Sequence, residues 1–153
     1  MTHFARARIS ILALFFLVFL PGSARAMTMM CSGSLNFNSM IPGHSAVHSI
    51  SCYAVGKPGT IISSTMVVYL TSLPQAGANT LPAGSIAVST DNSSFTALTG
   101  AGSGYPVTVW SGAAPPSSSS PQTIYVQVTT PSNQPSGQYS GNLTVEMEVN
   151  YTP

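Results

Sequence analysis

Charge is nearly missing from this sequence. Its 153 residues include four Lys and Arg and three Asp and Glu. Arg6, Arg8 and Arg25 fall within the first 26 residues, so residues 27–153 hold Lys57 alone against Asp91, Glu146 and Glu148. One cation cannot neutralise a run of phosphates, which argues against a nucleic-acid partner, and it leaves no basic face for a membrane surface. Chemistry-bearing groups are equally sparse. There is one aspartate, and no serine stands in a G-x-S-x-G elbow. Glu146 and Glu148 fall on the outward positions of a strand, where they are expected to be solvated. His44 and His48 are four apart but lead from Pro42-Gly43 into a strand, which separates side chains at that spacing by about 13 Å. The sequence therefore predicts no enzyme, no metal and no cofactor.

Long apolar runs are missing too, with one exception at the start. Arg6 and Arg8 precede an apolar stretch from Ile9 to Leu20, and Pro21-Gly22-Ser23 leads to Ala24-Arg25-Ala26. A basic segment, a short apolar segment and an A-x-A site make a cleavable secretory leader over residues 1–26. The apolar part is well short of the roughly twenty residues of a bilayer-spanning helix. The reading is export by the Sec route, leaving residues 27–153 as one domain without stable membrane insertion.

What remains is rich in Ser, Thr, Gly, Pro and Val, and no helical period appears after residue 26. The clearest stretch is the last. Leu143, Val145, Met147, Val149 and Tyr151 alternate with Asn142, Thr144, Glu146, Glu148 and Asn150, a period of two that puts the large apolar side chains on one face of a strand. Further strands are predicted at Leu35–Asn38, at Ala46–Ala54 with Val47 and Ile50 as anchors, and at Thr60–Leu70. Shorter ones follow at Ser85–Ser89, Phe95–Leu98, Val107–Trp110 and Thr123–Thr129. Residues 74–84 and 111–121 read as loops. Many short strands separated by Gly, Pro and Ser clusters indicate an all-β, immunoglobulin-like antiparallel sandwich. Nothing after the closing strand offers it a second neighbour, so the sandwich is expected to be incomplete, missing its last strand.

Cys31 and Cys52 are the two cysteines, and in an exported chain an even pair defaults to a disulfide. Free thiols or a metal pair are the alternatives. The bridge is expected to staple the start of the first strand to the end of the second. Tyr105 and Trp110, beside glycine- and serine-rich loops, offer a possible sugar-binding platform, against which stands Trp110 as an ordinary core anchor.

The order Cys31, Leu35-Asn36-Phe37, Pro42-Gly43 and Ser49-Ile50-Ser51-Cys52, with Gly137-Gln138-Tyr139-Ser140-Gly141 before the closing strand, resembles the spore coat protein U-type domain, the pilin subunit of archaic chaperone–usher pili. The likeness covers residues 31–70 and 121–153. It implies a sandwich lacking its final strand, completed in transit by a periplasmic chaperone and in the fibre by an extension of the neighbouring pilus subunit, with an outer-membrane usher as the exit to the cell surface. Leu35 and Phe37 would then face Leu143, Val145, Met147, Val149 and Tyr151 across a donor-strand groove. Asn38 stands where the family usually has Gly. Only four residues separate Ala26 from Cys31, too few to act as a donor, which suits a tip subunit or a relative that does not polymerise. The competing reading is a self-complete secreted sandwich that binds a glycan or a surface partner through Tyr105 and Trp110.

Overall fold

The computed structural model describes residues 3–10, 27–33, 35, 37, 40–56 and 59–152; for residues 3–10 it describes the backbone pairing alone. Ten strands and one three-residue 3-10 turn (Ala83–Ser85) make up the regular structure, with no α-helix among the described residues. The strands are β1 (His3–Ser10), β2 (Thr28–Gly33), β3 (Ser45–Val55), β4 (Thr60–Ala76), β5 (Asn79–Thr80), β6 (Ile86–Ser89), β7 (Thr96–Ala97), β8 (Val107–Gly112), β9 (Gln122–Thr129) and β10 (Ser140–Thr152). They form two five-stranded sheets. The first runs β1-β10-β4-β5, with β8 also paired to β4, and the second runs β2-β3-β9-β6-β7. Every strand pairing is antiparallel. The all-β antiparallel sandwich expected from the sequence is the fold observed.

The core between the sheets is built by period-two alternation. On β9, Ile124, Val126 and Val128 are buried while Tyr125 and Gln127 are less so. On β10, Leu143, Val145, Met147 and Val149 are buried and meet Met66, Val68 and Leu70 of β4 in one cluster. Each such side chain contributes about 1.5–3 kcal/mol by leaving water. On β3 the inward set is His48, Ile50 and Cys52, whereas Val47 is 41% exposed. Val47 is thus not the anchor its hydrophobicity suggested. Register follows parity, and Val47 is an odd step away from Ile50. His48 takes the inward place and meets the Phe37 ring edge-on at 4.7 Å.

Three further expectations are corrected. The first strand after residue 26 is Thr28–Gly33; of the strand expected at Leu35–Asn38, Leu35 and Phe37 lie outside any strand but still pack against the core, and Asn36 and Asn38 lie outside the described residues. Cys31 and Cys52 do form the disulfide, but as directly opposite partners on adjacent strands, 4.1 Å apart at Cα, rather than linking a strand start to a strand end. β4 runs on through Pro74 to Ala76, where a loop was expected, and a turn through Gly77 at φ 60 sends the chain back as β5. A proline is tolerated inside this strand because the β4–β10 register slips beside it, between Ser140↔Gln75 and Asn142↔Ser72. Gly141 makes the approach possible, since a Cβ there would stand 2.9 Å from the Pro74 Cα.

Candidate strand-acceptor edge

The distinctive feature of the molecule is the pair of neighbours that β10 has. One flank is bonded to β4 from Ser140 to Thr152, and both strands lie within residues 27–153. The other flank carries β1, antiparallel and in continuous register from His3↔Tyr151 to Ser10↔Thr144. β1 also touches β2 of the facing sheet. It therefore closes the seam between the two sheets along the apolar side of β10. The sequence alone predicts an empty flank here. In the whole chain it is filled from the opposite end, by residues that belong to the segment read as a leader. A chain cut after Ala26 has no β1.

The residues predicted to line a groove do not all meet in one place. Leu35, Phe37 and Leu143 line a cavity of about 330 Å³ together with Leu70, Leu81 and Val128. Gly141, Asn142 and Leu143 also line it, next to Thr144, the partner of Ser10 at the end of the described part of β1. Val145, Met147 and Val149 are buried further along the strand, and Tyr151 is partly buried against the same core. Two core residues carried no clear signal in the sequence. Met27 and Met29 are 5% and 0% exposed, at the very start of the domain. Their alternation with Thr28 and Met30 was the signal, hidden by the shortness of the run. Because Thr28–Met30 already pair with β3 as part of β2, a chain beginning at Met27 has no free residues with which to complete a neighbour.

The opposite row of β10 holds a second surprise. Glu146 points away from the core as expected, yet it is 4% exposed, not solvated. The Tyr69 hydroxyl donates to its Oε2 at 3.4 Å, and the hydroxyls of Thr71 and Thr144 bond one residue pair further along. In register, β1 sets Arg8 opposite Glu146 and Arg6 opposite Glu148. Next in the row is Asn150, whose Oδ1 is buried and has no hydrogen-bond partner among the described residues.

The other candidate sites separate. Tyr105 is half exposed and lies over Gly100, while Trp110 is partly buried over Gly112, where a Cβ would fall 2.7 Å from its indole. No ring contact joins them among the described residues. No group of three metal-ligating side chains occurs among the described residues. Asp91 is a turn residue: its carboxylate accepts from the backbone N–H groups of Ser93 and Ser94, both at 2.8 Å, and from the Ser89 hydroxyl at 2.7 Å. Those bonds, with Ser94's the largest influence, hold its pKa well below the ordinary carboxylate range. Compared with known proteins, the chain matches no family model, no curated protein and no solved structure.

Proposed function

We propose that residues 27–153 form a strand-accepting structural subunit of an exported adhesive assembly, of the kind the spore coat protein U resemblance implies. The observation that carries this reading is the occupancy of β10: one flank is paired to β4, and the other, among the described residues, is paired to residues 3–10. Removal of the leader then uncovers the backbone donors and acceptors along Thr144–Tyr151 and the buried side chains behind them. An exposed strand edge of this kind recruits another strand, with main-chain hydrogen bonds supplying affinity. A periplasmic chaperone fills it during transit, an usher passes the subunit outward, and a neighbouring subunit fills it in the assembly. A subunit that begins at Met27 would accept a strand without lending one, which suits the end of a fibre or a coat that does not grow by itself.

The test is to make residues 27–153 alone and with a periplasmic chaperone or an added strand peptide. The expected result is an aggregation-prone, poorly cooperative chain that becomes a stable monomer once the partner is present. A soluble domain that unfolds cooperatively with no partner overturns the reading.

A further inference from the structure

The polar row of β10 specifies what kind of strand belongs beside it. We infer that the acceptor edge selects an extended segment of a different polypeptide, antiparallel to β10, with Lys or Arg at two positions two residues apart opposite Glu148 and Glu146. The inference rests on the strand-acceptor reading and adds its partner chemistry.

Three observations carry it. First, an occupant of this type is seated on the edge in the whole chain, with Arg6 and Arg8 in register with the two glutamates. Second, Glu146 is almost fully removed from water. An occupant that covers a carboxylate without bringing positive charge leaves it desolvated and uncompensated, which is strongly unfavourable; opposite charges directly across an antiparallel pair are favourable. Third, the buried Asn150 Oδ1, without a hydrogen-bond partner among the described residues, marks one more position, opposite Phe4 in register, that a donor-bearing side chain would satisfy. The row reads as acceptors from Asn150 to Glu146, and it calls for donors.

A second copy of the mature chain cannot meet this requirement. Residues 27–153 contain Lys57 as their one Lys or Arg, so no segment of them presents two cations at alternate positions. The partner is therefore a different protein, and the purified domain does not build a fibre from copies of itself.

The experiment uses the full chain with a protease site inserted between residues 10 and 27 and cut after folding, so that β1 is held without a covalent link. Fluorescent peptides then compete for the edge: the sequence of residues 3–10, a neutral form with Arg6→Ser and Arg8→Ser, and a reversed form with Arg6→Glu and Arg8→Glu. The expected result is exchange by the first and an affinity lower by about thirtyfold or more for the reversed form, the scale of a broken desolvated charge pair. A chain carrying Glu146→Lys and Glu148→Lys should restore the reversed peptide. Should that variant not fold, the ionic-strength series on the unaltered chain decides. Added salt should weaken the basic peptide and leave the neutral one unchanged. Equal exchange by all three peptides, or equal salt dependence, removes the charge requirement and leaves the acceptor reading standing. No exchange by any peptide, with a cut chain that unfolds cooperatively after residues 3–10 are washed away, removes both.

Discussion

The two sheets differ in what they need. The second sheet, β2-β3-β9-β6-β7, is complete within residues 28–129, ends on a two-residue strand at one edge and is bridged by Cys31–Cys52 at the other. The first sheet holds the longest strands, β4 and β10, yet its outer member is β1, from the segment that reads as removable. One sheet is guarded against further pairing by a short edge and a covalent bridge, and the other is finished, among the described residues, by a strand that the proposed leader cleavage would take away. On the proposed reading, stability and assembly fall to different layers of the same sandwich.

The strongest way to break that comparison is to remove β1. Residues 27–153 should be less stable than the full chain by several kcal/mol, most of a typical 5–15 kcal/mol margin, as read from urea unfolding of the two. Equal midpoints would mean that the first sheet is as self-sufficient as the second. Next, Met147→Ala, at a fully buried position on β10, should cost about 2–5 kcal/mol in the full chain. In residues 27–153 with strand peptide, the same change should also loosen peptide binding. Ile124→Ala, equally buried on β9, should cost as much stability without altering the peptide's affinity at saturation of the folded form. Reducing Cys31–Cys52 should cost about 3 kcal/mol by the loop-closure estimate. The loss should appear as earlier hydrogen exchange in β2 and β3 rather than in β4.

The smallest effect belongs to Asp91, in the turn that follows β6. Its folded pKa is depressed by hydrogen bonds from Ser94, Ser89 and Ser93, so its contribution is present above the ordinary carboxylate pKa and is lost as pH falls through that range and below it. Asp91→Asn should remove that part of the acid dependence with little change at neutral pH. NMR titration of Asp91 should find it ionised well below the usual range. Titration at an ordinary value would mean that the turn around Ser93 and Ser94 is not held by this carboxylate.

Much of the fold was legible because burial on a half-exposed sheet imposes a period of two. Ile124, Val126 and Val128, and the row from Leu143 to Val149, announce their strands and faces directly. Where the sequence misled, a competing effect won. Val47 outranks His48 in hydrophobicity, but parity with Ile50 decided which one turns inward. Pro74 reads as a breaker, but a register slip against Gly141 let the strand pass it. Leu35 and Phe37 reach the core from irregular backbone, which no periodicity reveals.

By itself the sequence determined the class of fold, the inward face of β10, the pairing of the two cysteines and the poverty of charge in residues 27–153. Each of these follows from local alternation or from composition. Only the tertiary structure decided who stands beside β10, that Glu146 is buried, and that Met27 and Met29 already belong to the core. Those facts depend on which distant segments meet, and strand pairing across most of the chain leaves no mark in either partner's local pattern.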